Sequence, residues 1–328
     1  MPPMTLTNLQ SRSDIFDNIR AGFAHVAANA RHVRINRDRL MEYARQLPAR
    51  HPSTIFDTEH HYIGSPEDTA AYVLALDAIN YGSGYKDDLV VEGWSLIEGS
   101  IYYGVSVRLK NAFERKPLTA KDLAEMTPER VHDILELPFK PQSIELANMF
   151  AVGLRDLGQM IQRENSGCFL SFINDANGRV GRVVERLATL PQFADVHDYH
   201  GRAIPMYKRA QIAAADLHLA FSRLGIHLFH DMDRLTMFPD NGVPQVLSAD
   251  GVLEYSPELL ARIKNKEEIP VGSEEEIEIR GCAGHAVSEL ARLADKTDVE
   301  TDHILWHRHA EDDRYRAAPS HKTLGPFY

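Results

Sequence analysis

Asp216 is a carboxylate set among residues that predict a buried helix face, in the stretch Tyr207-Lys-Arg-Ala-Gln-Ile-Ala-Ala-Ala-Asp216. At the helical period Ile212, Asp216, Leu219 and Arg223 share one stripe, and Arg209 joins it two turns earlier. Ala213, Ala214 and Ala215 are strong helix formers that offer nothing to shield a charge. An ionised carboxylate on a packed face costs several kcal/mol (order of magnitude) unless it is paired or hydrogen-bonded. Asp216 is therefore either half of an ion pair with Arg209 or Arg223, or a site residue, and the residues alone leave both open.

A second carboxylate, Asp240, lies in Leu235-Thr-Met-Phe-Pro-Asp-Asn-Gly-Val-Pro-Gln-Val-Leu247. Pro239 before it and Asn241-Gly242 after it predict a turn ahead of an apolar run, which presents the carboxylate at a helix N-terminus. The ordinary reading is a cap aspartate. Two carboxylates from neighbouring elements also suit cleavage of a glycosidic bond, where one charge supports the sugar cation and a base serves water. Lys208 and Arg209 open the helix that carries Asp216, and a helix N-terminus with adjacent cations makes a phosphate site. The alternative is a solvated basic face.

Three His-Asp pairs, His132-Asp133, His197-Asp198 and His230-Asp231, raise a rival chemistry, a metal-dependent phosphohydrolase of the His-Asp type. Asn80-Tyr81 and Trp306 could hold a planar base by edge hydrogen bonds and stacking, against an ordinary place in the core. Glu276, Glu278 and Arg280 alternate, and a structural charged cluster is their default reading.

The elements that must position these groups read as helices. Ser65-Pro66-Glu67-Asp68, Thr127-Pro128-Glu129 and Ser256-Pro257-Glu258 each give an N-cap, a proline at the first helical position and acids in the first turn, and Thr119 to Asp122 is a further cap. The helix after Ser65 carries Tyr72, Leu76 and Ile79 on one face and stops at Gly82-Ser-Gly84. Phe113 to Glu136 reads as short helices, and Gly153 to Gln162 and Val180 to Leu190 as helical. Strand signals are confined to Val90-Val91 and the alternating Ile277-Glu278-Ile279-Arg280; the latter could equally open a helix through Ala286 to Ala294. The prediction is a mainly α, multi-helix globular fold with at most short strands.

Composition bounds the partners. The 328 residues are enough for a large core. A net charge of −11 disfavours a nucleic-acid polymer, whose binding runs on Lys/Arg contacts, yet allows a local pocket for one phosphate. Two cysteines, Cys168 and Cys282, give neither a disulfide framework nor a zinc cluster and suit a reducing cytosol. No apolar run reaches the roughly 18 residues of a membrane span, and Met1-Pro-Pro-Met-Thr lacks an apolar signal core, so the expectation is a cytoplasmic protein without a membrane partner.

Five blocks taken together are similar to those of the queuosine salvage family. They are Leu76-Asp-Ala-Ile-Asn80, Tyr207-Lys-Arg-Ala-Gln211 with Asp216, Leu235-Thr-Met-Phe238 with Asp240, Pro244-Gln-Val-Leu247, and Glu276-Ile-Glu-Ile-Arg-Gly-Cys282. The segments Ile304-Leu-Trp306 and Ala310-Glu-Asp and the terminal Phe327-Tyr328 also resemble it. The blocks run in family order from about residue 20 to the end, so residues 1–20 read as an N-terminal extension and 21–328 as a single compact unit.

The resemblance implies a fold like that of helix-hairpin-helix DNA glycosylases. It also implies hydrolysis of the N-glycosidic bond of queuosine 5′-monophosphate, releasing queuine for tRNA modification, with neither cofactor nor metal. Asp216 becomes the leading catalytic carboxylate, with Asp240 beside it; Lys208 and Tyr207 become phosphate candidates and Phe238 a stacking candidate, next to Arg209 for the phosphate and Asn80, Tyr81 and Trp306 for the base from the reading of the residues. Where many members have a bulky aromatic-rich segment, this chain has the smaller Asn80-Tyr81-Gly82-Ser83-Gly84-Tyr85, which leaves other 7-deazaguanine nucleotides open as substrates. A DNA glycosylase, the His-Asp phosphohydrolase and a non-catalytic nucleotide-binding module stand as rivals.

Overall fold

The computed structural model describes residues 14–48 and 56–328. Most of the segment read as an extension, residues 1–13, lies outside that range. Its last residues, from Ile15, belong to the first helix, where Phe16 and Ile19 are buried.

The described chain is mainly helical. In order it runs α1 (Ile15–Asn29), β1 (Val33–Ile35), α2 (Arg37–Gln46), α3 (Pro66–Ala78), α4 (Lys86–Val91), α5 (Ile101–Arg115), α6 (Ala120–Ala124), α7 (Pro128–Leu135) and α8 (Pro141–Asn165). Then follow α9 (Phe169–Asn174), α10 (Val180–Leu187), β2 (Val196–Tyr199), β3 (Arg202–Pro205) and α11 (Lys208–Arg223). The chain ends with α12 (Gly242–Ala249), β4 (Leu253–Tyr255), α13 (Pro257–Lys264), α14 (Glu274–Leu293), α15 (Asp298–Glu311) and α16 (Asp313–Arg316). The strands form two antiparallel pairs, β1 with β4 (Val33 opposite Tyr255) and β2 with β3 (Val196 opposite Pro205).

The helix starts follow the side chains expected to make them. Ser65, Thr127 and Ser256 each accept the backbone N–H three residues on, at 3.2 Å, and Thr119 forms a reciprocal capping box with Asp122. The strand expectation at Val90-Val91 fails, and of the two readings of Ile277 to Arg280 the helix holds. Val90 and Val91 end α4, behind the acidic first turn of Asp87 and Asp88. Ile277 to Arg280 lie in α14, opened by the Ser273 cap and three glutamates. Their alternation misleads because α14 is buried on nearly every side, so its charged residues meet polar partners from other elements.

Two buried helices organise the molecule. Every residue of α3 from Thr69 to Ala78 is buried, wrapped by α5, α8, α9 and α11. α14 is wrapped by α1, α2, α12 and α15. Its Gly281 and Gly284 let α1 come close: a Cβ on Gly281 would stand 2.7 Å from Val26, and one on Gly284 would overlap Phe23. The candidate site residues come from α11, α15, the segment after α3 and the segment leading into α12.

Candidate active site

The anchor of this region is a buried ion-pair network. Arg280 on α14 donates to Asp195, just ahead of β2, through Nη1 to Oδ1 (3.0 Å) and Nη2 to Oδ2 (2.5 Å), and to Glu276 Oε1 (3.0 Å). His197 Nε2 lies 2.9 Å from Asp195 Oδ1. Burial alone would raise the Asp195 carboxyl; Arg280 and His197 outweigh it and hold the group well below the usual carboxylate range. Asp195 then fixes the start of α11. Its carbonyl accepts from Met206 N (2.8 Å) and Tyr207 N (3.3 Å), and its Oδ2 accepts from Lys208 N (3.3 Å). The N-terminus of α11, expected from sequence to receive a phosphate, is thus capped by a carboxylate. Tyr207 makes the turn into it with a left-handed φ of 47°.

Lys208 is 6% exposed, and its ammonium makes no hydrogen bond or ion pair among the described residues. Burial lowers its pKa and the nearby Asp240 opposes that. Asp240 stands at the start of α12, where its Oδ1 accepts from Gly242 N (2.9 Å) and Val243 N (3.1 Å). A helix N-terminus and an ammonium both suit a negative charge there. From α15, the buried Asp302 accepts from Phe238 N (3.0 Å), and burial followed by the charge of Asp240 raises its carboxyl well above the usual range. His309, lowered by burial with Asp240 opposing, packs where Gly242 has no side chain: a Cβ there would stand 3.2 Å from its Nδ1. Asp302, Trp306 and His309 fall at helical spacing on α15.

Asp216 lies in the middle of α11, half-buried, and makes no hydrogen bond or ion pair among the described residues. Neither arginine pairs with it. Arg223 is exposed, and Arg209 gives its guanidinium to the carbonyls of Asp77 (2.9 Å), Ala78 (2.8 Å) and Gln192. The neighbour of Asp216 is instead another carboxyl, Asp77 on α3. Burial first, and Asp77 second, raise the Asp216 carboxyl well above the usual range. Asp77 is wholly excluded from solvent and is raised to about 7 by burial, although its Oδ1 accepts from Asn80 Nδ2 (3.1 Å).

The structure therefore gathers Lys208 and Asp240 on one side and Asp216 with Asn80, through Asp77, on the other. Phe238 (8% exposed) adjoins the first group through Asp302, and Trp306, partly buried, shares its helix face. Arg209 is placed otherwise than expected: it clamps the end of α3 to α11, its charge satisfied by three carbonyls and held between the rings of Tyr81 and Phe193. Tyr81 is accordingly packed into the core, 4% exposed and edge-on to Phe150. Neither has a free face to offer a substrate. The sequence reading missed Asp77, Asp302 and His309. The signal was there: Asp77 is a lone charge late in an apolar helix, as conspicuous as Asp216.

The three His-Asp pairs do not converge. His132 bonds Leu137 O (3.0 Å), His197 serves Asp195, and His230 is exposed while Asp231 caps α10 through Val180 N (2.8 Å). Among the described residues no cluster of three His, Cys, Asp or Glu side chains is arranged to hold a metal ion. A surface cleft of about 470 Å³ beside β1, lined in part by Arg31, Arg34 and Arg37, contains none of the candidate residues.

Comparison with known proteins covers nearly the whole chain. Residues 60–328 match the family described as queuosine salvage protein. A protein of Sphaerobacter thermophilus is 34% identical over 92% of this chain and 95% of its own length. One of Dictyostelium discoideum is 31% identical over 94% and 98%, and one of Mus musculus 25% over 81% and 83%. Each of the three is named queuosine 5′-phosphate N-glycosylase/hydrolase.

Proposed function

The chain belongs to the queuosine salvage protein family, and from that premise we propose the following course for its reaction. It hydrolyses the N-glycosidic bond of queuosine 5′-monophosphate. Water adds to C1′ of the ribose, the C1′–N bond breaks with its electron pair going to the base, and one water proton ends on the departing nitrogen. The products are queuine and ribose 5-phosphate.

The observation that carries the division of roles is the ammonium of Lys208, which belongs to a buried residue near Asp240 and Asp195 and has no partner among the described residues. Lys208, with His309 and the exposed Lys86 whose charge reaches it, anchors the 5′-phosphate. That remote binding fixes the ribose. Asp240 supports the sugar cation and takes the water's proton, because a carboxylate serving a developing cation must be ionised before the bond breaks. Asp302 keeps its own proton and so braces the Phe238 backbone without a second negative charge. Phe238 and Trp306 flank the base, Asn80 completes its surroundings, and Tyr207 lies with Lys208 at the phosphate. Asp216, which holds a proton beside Asp77, faces the base rather than the ribose.

No helix of the described residues is long and apolar enough to cross a membrane. The acidic balance and the two unpaired cysteines fit a cytoplasmic enzyme acting on a small nucleotide rather than a polymer. The test is incubation of the purified protein with queuosine 5′-monophosphate and EDTA, read by mass spectrometry. Free queuine with ribose 5-phosphate is expected. Intact nucleotide, or nucleoside with free phosphate, would overturn the reading.

A further inference from the structure

Asp77 and Asp216 form a second acidic station that bond cleavage leaves unused. Asp77 Oδ2 is buried without a hydrogen-bond partner among the described residues, and Asp216 is partly accessible with none either. The polar groups facing the pair are committed elsewhere. Tyr72 on α3 donates to Ser106 O (3.1 Å), Tyr102 on α5 bonds His61 Nε2 (2.7 Å), and Arg209 on α11 is held by its three carbonyls. Among the described residues the ammonium of Lys208, assigned above to the phosphate, and the Nε of Arg209 are left without a partner. A buried, unsatisfied carboxylate oxygen behind an accessible one is expensive unless a ligand completes it.

We propose that Asp216, backed by Asp77, is the subsite for a cationic amine arm on the substrate's base. The assignment rests on the queuosine 5′-phosphate reading and on the charges within that molecule. Its phosphate has the wrong sign for two carboxyls, and its 7-deazaguanine ring offers N–H donors but no charge. Its aminomethyl arm is a secondary amine, protonated near neutral pH as alkylamines are. The ammonium supplies both the charge and the N–H donors that the pair lacks. Two neighbouring carboxyls in a desolvated place resist ionising together, so the empty pair retains a proton. The arriving cation allows that proton to leave to solvent.

The experiment is calorimetric binding of two free bases, 7-aminomethyl-7-deazaguanine and 7-cyano-7-deazaguanine, to the full chain. The first is cationic and the second neutral, and neither carries the cyclopentenyl ring. The aminomethyl base is expected to bind at least about tenfold tighter, as a charge-assisted contact in a partly buried site should. Titration below pH 7 in buffers of different ionisation enthalpy is expected to show proton release for that base alone. Asp216→Asn is expected to abolish the preference and Asp77→Asn to weaken it, with circular dichroism confirming the fold. Equal affinity in the wild type, failure of both bases to bind, or a preference that survives Asp216→Asn would overturn the assignment. Hydrolysis of queuosine 5′-monophosphate is scored separately: turnover without base preference sinks only the subsite, and preference without turnover sinks only the proposed reaction.

Discussion

Arg280 and Asp195 meet in a doubly hydrogen-bonded ion pair from which solvent is almost wholly excluded. The same guanidinium donates through Nε to Pro239 O (2.9 Å), the carbonyl just before Asp240, while Asp195 holds the backbone of Lys208. One buried contact therefore sets the relative position of the two side chains assigned to sugar and phosphate. Removing one partner leaves the other charged and buried, which costs about 3–5 kcal/mol. Arg280→Met is expected to lower unfolding free energy by that amount in urea titration. An effect under about 1 kcal/mol would show that the pair is not an anchor.

The ion pair also predicts acid sensitivity. The folded Asp195 pKa is depressed, so its contribution is full above the unfolded value of about 3.9 and is lost as pH falls towards the folded one. Stability should therefore fall below about pH 4 more steeply in the wild type than in Asp195→Asn. Parallel pH profiles of denaturation midpoint for the two proteins would contradict this.

Much of this architecture was legible because the determinants were local. Ser65, Thr127 and Ser256 cap the helices they appeared to cap, and Asp216 stood out as a charge among alanines. What was hidden depends on partners distant in sequence. Arg209 looked like a phosphate ligand beside Lys208, yet its partners are carbonyls of α3 and of Gln192. Ile277 to Arg280 read as strand or helix equally well because the groups that satisfy Arg280 come from Pro239 and Asp195. Asp302 and His309 were not read as a helical pair with Trp306 because nothing local marks which face of α15 meets α12. The likeness to helix-hairpin-helix glycosylases stays an expectation of the family resemblance.

Asp240→Asn keeps an acceptor for Gly242 N and Val243 N, so the cap and the fold should survive. What it removes is the negative charge beside the sugar. Turnover of queuosine 5′-monophosphate should fall by about 10³-fold, with KM changed little, because the lost interaction belongs to the transition state. Near-normal kcat in this variant would remove Asp240 from its role.

Lys208→Met should act differently. It deletes an ammonium that has no partner among the described residues, so melting temperature should hold or rise, since a desolvated charge is removed. Its cost should appear as a weakened preference for the 5′-monophosphate over the free nucleoside, by about 10- to 100-fold in kcat/KM. A variant that loses both substrates equally would assign Lys208 to the ribose or to structure.

Asp77 gives the last prediction, opposite in sign to that for Asp195. Its folded pKa is raised to about 7 from an ordinary 3.8, so between those values the folded state binds more protons than the unfolded one. Stability then declines as pH rises through that window, by at most about 1.4 kcal/mol per pH unit, and levels off above it. Asp77→Asn cannot ionise and should be flatter, so that it gains on the wild type from about pH 4 to 7 and holds a constant margin at pH 8. Urea midpoints at pH 5, 6, 7 and 8 measure the gap directly. A gap independent of pH would mean that Asp77 keeps an ordinary carboxylate despite its burial, and that the desolvation argued for the acidic station is absent.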